Sequence, residues 1–139
     1  MSKSAVNIII AETSYIIYEG IFNILTNTGQ TFNINQADSF SELQQLNLRA
    51  KADIVFINPV LLQNLTKDFQ SLRKELDNTR WIGIVYTFID QQLLSMFDGV
   101  IHINDSPNKI NKAIQEQLSQ AEHKNNNYLQ QETLSARET

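Results

Sequence analysis

A chain of 139 residues is long enough for one domain with a substantial core, and its 42% hydrophobic and 19% charged content is ordinary for a globular protein. It has no cysteine, which excludes disulfides, thiolate metal sites and cysteine nucleophiles. A formal net charge of −4, with eleven scattered Lys and Arg residues, argues against nucleic-acid binding by this segment. No membrane-spanning run of about 18 apolar residues is present, and the first residues carry no secretory cleavage pattern. The expected compartment is the cytoplasm.

In chain order, Val6 to Ala11 (VNIIIA) is almost wholly apolar, too short for a helix, and predicts a strand buried on both faces. Thr13 or Ser14 can cap the next helix, whose inner face is Ile17, Ile21, Ile24 and Leu25. Thr31 to Asn35 (TFNIN) alternates Phe32 and Ile34 with polar residues, as an edge strand with one wet face does. Ser39 and Glu42 form a capping box before Phe40, Leu43 and Leu46. Ile54 to Ile57 (IVFI) is another buried strand, and the spacing of Leu61, Leu65, Phe69, Leu72 and Leu76 predicts one continuous helix after it. Trp81 to Tyr86 (WIGIVY) forms the next strand. The segment Gln91 to Phe97 has room for about two helical turns, so the fourth helix is shortened. Val100 to Ile103 (VIHI) is the last strand. Ser106 and Pro107 then supply an N-cap and a first-turn proline for a helix with the stripe Ile110, Ala113, Ile114, Leu118 and Ala121.

Strand and helix therefore alternate five times, which implies an α/β domain with a parallel sheet covered on both faces. Five such units in about 120 residues indicate a flavodoxin-like doubly wound five-stranded sheet of order 2-1-3-4-5. Residues 1–121 make up this domain, 122–133 a polar linker or helix extension, and 134–139 the start of a further unit. In such a sheet, chemistry gathers at the carboxyl ends of the strands. Those ends carry Glu12 and Thr13, then Asn58, then Thr87, and finally Ile103 or Asn104.

Here the sequence resembles a known family. The segment IIIAETSYIIYEGIFNIL resembles the opening of response-regulator receiver domains, an apolar strand and an acidic pair followed by a helix containing Glu-Gly, here Glu19-Gly20. ADIVFINP resembles their third strand, with Asn58 five residues after Asp53, where the family has a second aspartate. WIGIVYT and FDGVIHINDSP extend the similarity to about residue 121. The resemblance implies a metal-binding acidic pair at Glu12 and Thr13, a phosphoacceptor at Asn58, a hydroxyl at Thr87, a lysine at Ile103 or Asn104, and an aromatic switch at Val100. Three of the five chemical groups are then replaced. An amide is neutral and poorly nucleophilic; one carboxylate is too little charge to strip water from Mg²⁺; and no cation remains to pair with a phosphoryl group. The expectation is a degenerate receiver: no enzyme, no cofactor, and Mg²⁺ binding absent or weak. Leu93, Met96, Phe97 and Val100 are candidates for an output or dimer face, although a role in covering the sheet competes for them.

Simpler roles stand beside these. Glu12 suits the positive end of the first helix. Asn58 before Pro59 suits a helix N-cap, and Asp38, Asp90 and Asp105 suit turns and caps. His102 fits a satisfied strand residue and His123 a solvated one. The glycines, Gly20, Gly29, Gly83 and Gly99, are isolated, so no phosphate loop is formed. Leu134 to Glu138 (LSARE) resembles the opening of LuxR-type helix-turn-helix domains and is also a capping box. The expectation is the amino-terminal part of a transcriptional regulator truncated before its DNA-binding domain, a homodimer in contact with that missing domain and with another signalling protein. A small-ligand sensor and a flavodoxin-like cofactor binder are the alternatives.

Overall fold

A computed structural model describes residues 5–119 of the chain. The elements are β1 (Val6–Ala11), α1 (Tyr15–Thr26), β2 (Phe32–Ala37), α2 (Phe40–Arg49), β3 (Ile54–Ile57), a 3₁₀ turn (Pro59–Leu62), α3 (Thr66–Glu75), β4 (Arg80–Val85), α4 (Gln91–Leu94) and β5 (Gly99–His102). A last helix, α5, begins at 107 and continues through 119. The five strands form one parallel sheet in the order β2-β1-β3-β4-β5, the doubly wound order that the alternation predicts.

The alternation of side chains along each strand supplies two cores. Ile9, Ala11, Val55, Ile57 and Trp81 pack toward Phe40 and Leu43 of α2 and Phe69 and Leu72 of α3. Ile8, Ile10, Ile54, Phe56, Ile82, Ile84 and Ile101 pack toward Ile21 and Leu25 of α1 and Ile114 and Leu118 of α5. Apart from Asn7 in β1 and Arg80 in β4, the central strands are apolar, because helices cover both faces. Each such side chain contributes about 1.5–3 kcal/mol by leaving water. β2, at the edge, keeps Asn33 and Asn35 exposed between half-buried neighbours.

Local chemistry sets the element ends. Ser14 caps α1 by accepting from the Ile17 N–H, and Ser39 caps α2 by accepting from the Glu42 N–H at 3.1 Å. The returning arm of the capping box lands one residue early: Glu42 Oε1 accepts from the Asp38 N–H at 3.2 Å. Ser106 accepts from the Lys109 N–H at 3.2 Å at the start of α5.

The structure departs from the sequence expectation at two helices. The run from Leu61 to Leu76 is broken: the 3₁₀ turn ends at Leu62, Asn64 takes a left-handed φ of 63°, and α3 starts at Thr66. Asparagine tolerates that conformation. Leu61 and Leu65 still pack on the same core as Phe69 and Leu72, which is why the spacing looks continuous. The fourth helix is one turn, shorter than the two the sequence allows.

After α4 the chain tightens, with Met96 N–H bonded to Leu93 O and Phe97 N–H to Leu94 O. Leu93, Met96 and Phe97 are thereby half-buried against the core on the α2–α3 side, and Val100 is half-buried in β5. Leu93, Met96 and Phe97 therefore cover sheet that a longer helix would cover, the role that competes in the sequence with an output or dimer face. Phe97 lies 5.3 Å from Phe69, centroid to centroid, and Phe69 meets Trp81 edge-on at 5.2 Å. The Phe97 ring lies over Gly83, where a β-carbon would meet it at 3.4 Å, an ordinary contact distance. Residues 120–121 at the end of the expected domain, the linker 122–133 with His123, and the segment 134–139 lie outside the described residues.

Candidate functional site

Three strands end at a common point. Beyond β1, the Glu12 N–H donates to Ala37 O at 3.1 Å, and its carbonyl accepts from Gln36 Nε2 at 3.0 Å, so Glu12 is fixed between β1 and β2. Its side chain is fully buried. Oε2 accepts from the Ser14 N–H at 2.8 Å and from the Tyr86 hydroxyl at 3.1 Å. Oε1 is buried with no hydrogen-bond partner among the described residues. Burying a carboxylate is costly unless donors compensate, and here both donors converge on one oxygen.

Asn58 follows β3 and is buried. Its N–H donates to Ala11 O at 3.0 Å. Its Oδ1 accepts from the Val60 N–H at 3.0 Å, capping the 3₁₀ turn, with Pro59 at the first position. A backbone N–H can only donate, so it fixes which end of the amide is oxygen. Nδ2 therefore faces the cleft, where it donates to the Tyr86 Oη at 2.6 Å. The polarity of the chain follows: Asn58 donates to Tyr86, and Tyr86 donates to Glu12. Burial, followed by the Glu12 charge and the hydrogen bond to Glu12, raises the Tyr86 pKa above its ordinary value, while the Asn58 donor pulls the other way.

Of the residues expected at this site, Glu12 and Asn58 are brought together. Thr13 and Thr87 are exposed, and Thr87 makes no hydrogen bond among the described residues. Ile103 is 47% exposed just past β5, and Asn104 is exposed beside it. The hydroxyl in the cleft belongs to Tyr86, which corrects the assignment to Thr87. The sequence carries a signal for it. Residues 8, 10 and 12, residues 54, 56 and 58, and residues 82, 84 and 86 share one parity, and the even positions within the strands pack on the α1–α5 side. Thr87 has the opposite parity. Asp90 caps α4 by accepting from the Gln92 N–H at 3.3 Å. Asp105 accepts from the His102 N–H at 3.1 Å, a bond that holds its carboxyl below the usual range.

Magnesium at this point would need oxygen ligands with negative charge. Glu12 is one carboxylate, and Asn58 presents an N–H donor where a ligand oxygen would have to be. Among the described residues no group of three His, Asp or Glu is placed to hold a metal ion. These residues do not fit Mg²⁺. No helix among the described residues is long and apolar enough to cross a membrane.

No protein-family model and no curated protein matches the chain by sequence. Solved structures do match in fold. A response regulator from Thermotoga maritima superposes with a TM-score of 0.70 at 16% identity, over 84% of this chain and 99% of that one. The receiver domain of AraT, a response regulator from Geobacillus stearothermophilus, gives 0.71 at 17% identity, over 88% and 99%. The RcsB response regulator of Salmonella typhimurium gives 0.69 at 14% identity, over 84% of this chain and 62% of that one. The chain has the fold of response-regulator receiver domains.

Proposed function

We propose that this chain is a receiver domain of a transcriptional response regulator in which the phosphoacceptor pocket has become a fixed structural tie, so that it regulates by protein contacts and catalyses nothing. The observation that carries this reading is the Tyr86 hydroxyl, which bonds Asn58 at 2.6 Å and Glu12 at 3.1 Å. An incoming phosphoryl group would need that space. It would also need a charged acceptor at position 58, where there is an amide, and a cation at the end of β5, where there is Ile103. The fold likeness supplies the receiver half of the proposal, and the substituted pocket supplies the rest.

Exposed apolar side chains surround the same end of the sheet. Tyr15 and Ile16 open α1, Phe88 follows β4, Ile103 follows β5, and all are exposed. They favour contact with another protein, whether a second copy, a DNA-binding domain after residue 139 or another signalling protein. A cytoplasmic location fits this role. A flavodoxin-like cofactor site is disfavoured, because the Ser14 N–H that could cradle a phosphate is bonded to the Glu12 carboxylate.

The test is incubation of the chain with acetyl phosphate and Mg²⁺, followed by intact mass measurement. No added phosphoryl group is expected, and a stoichiometric gain overturns the reading. Sedimentation velocity across a concentration series tests self-association, and a monomer throughout would remove the homodimer from the proposal.

A further inference from the structure

The opposite end of the sheet holds a pocket of about 590 Å³ between the carboxyl half of α3 and the amino end of β4. Arg73, Lys74 and Leu76 line it from α3 and its C-cap, and Trp81 from β4. Met96 and Asp98 line it from the short link between α4 and β5. Asp98 organises the wall. Its Oδ2 accepts from the Trp81 N–H at 2.7 Å, and its Oδ1 lies 3.6 Å from Arg73 Nη2 and 3.7 Å from Arg80 Nη1. Arg80 is further held by Gln117, whose Oε1 accepts from its Nε at 3.0 Å.

One acid is thus shared by two guanidiniums, and Lys74 forms no ion pair among the described residues. Asp77 also lines the pocket, so its charged groups (Arg73, Lys74, Arg80, Asp77 and Asp98) sum to one positive charge. Leu76, Trp81 and Met96 are the apolar residues of a lining that is otherwise polar. Trp81 is 1% exposed, and its Nε1–H is a buried donor with no hydrogen-bond partner among the described residues.

We infer that this pocket binds a small organic anion, its acidic group held by Arg73 and Lys74 and its apolar body lying beside Met96 and the edge of Leu76. The forked donors of arginine suit a carboxylate or phosphate, and Met96 and Leu76 offer apolar contact beside them. The inference is independent of the receiver reading, because no residue of the Glu12–Tyr86–Asn58 chain takes part.

The chain has one tryptophan, so its indole N–H gives a single identifiable signal in a ¹⁵N-correlated spectrum. The labelled protein is titrated with phenyl phosphate, inorganic phosphate and benzyl alcohol at constant pH and ionic strength. Phenyl phosphate is expected to move the Trp81 indole signal and the Arg73 and Lys74 amides saturably, inorganic phosphate more weakly, and benzyl alcohol not at all. The double variant R73Q/K74Q should weaken binding about tenfold. K74Q alone, at an exposed side chain whose loss leaves the fold intact, should weaken it severalfold. A response that does not saturate, that persists undiminished in K74Q, or that centres on Tyr86 overturns the site. Equal affinity for inorganic and phenyl phosphate overturns the apolar half of the assignment.

Discussion

Tyr86 and Glu12 are 74 residues apart in sequence, yet the tyrosine hydroxyl donates to the Glu12 carboxylate at 3.1 Å. The same hydroxyl accepts from Asn58 Nδ2, so one phenol ties the ends of β1, β3 and β4. The first consequence concerns stability. Tyr86→Phe keeps the ring but leaves the Asn58 amide without its acceptor and Glu12 with one donor. The expected loss is about 1–2 kcal/mol, read as a lower urea midpoint at unchanged slope. In a double-mutant cycle with Glu12→Gln, the two losses should fall short of additivity by about 0.5 kcal/mol or more. Strict additivity would mean that the bond does not exist in solution.

Alkaline pH should weaken the same tie. Tyr86 has a raised pKa in the folded chain, chiefly from burial and then from Glu12. Between the unfolded and folded values the native state holds a proton that the unfolded chain has lost, so stability falls as pH rises through that window. The contribution is complete below about pH 10 and is lost above it. Tyr15 and Tyr18 are also raised, Tyr15 chiefly by its hydrogen bond to Glu19 and Tyr18 chiefly by burial, so the measurement is a difference. Absorbance titration of tyrosinate in wild type minus Tyr86→Phe should isolate one group titrating above the ordinary range. A difference curve at the ordinary value would contradict the bond to Glu12.

Restoring a carboxylate does not restore the pocket. Asn58→Asp places a second negative charge on the hydroxyl that already serves Glu12, and the neutral-pH stability should drop by about 1–2 kcal/mol. One of the two carboxyls then has a raised pKa, so the native state binds the extra proton more tightly and the loss is recovered on acidification. Thermal melts at neutral and mildly acidic pH read this directly. The variant should stay unmodified by acetyl phosphate, because no cation stands at Ile103.

Phe97 separates core cover from contact surface. Its ring lies over Gly83 and beside Phe69, so Phe97→Ala should cost about 2–4 kcal/mol. Self-association measured on the folded fraction should be unchanged. Intact stability combined with lost association would return Phe97 to the output face.

The sheet was legible in the sequence because short continuous apolar runs, one alternating edge run and capping pairs are local physics. VNIIIA, IVFI and WIGIVY are too short and too rich in β-branched residues for helices and read as buried strands, and five alternations leave few parallel topologies. Glu12 and Asn58 were legible too, since each directly follows a strand at the end where such sheets gather polar groups. The break at Asn64 was hidden, because a left-handed residue interrupts a helix without disturbing its apolar spacing.

Strand parity sets Tyr86 apart from Thr87 in the sequence, but tertiary structure alone brought its hydroxyl to Glu12 and Asn58. Thr87 and Tyr86 are neighbours in the chain, and the choice depends on which face of β4 is turned toward Glu12 and how far a phenol reaches across two strands. It also decided that Leu93, Met96 and Phe97 cover the sheet, since a one-turn helix leaves apolar area that only its neighbours can shield. Composition and spacing determine which groups can be buried; where a long side chain ends depends on register between strands far apart in sequence.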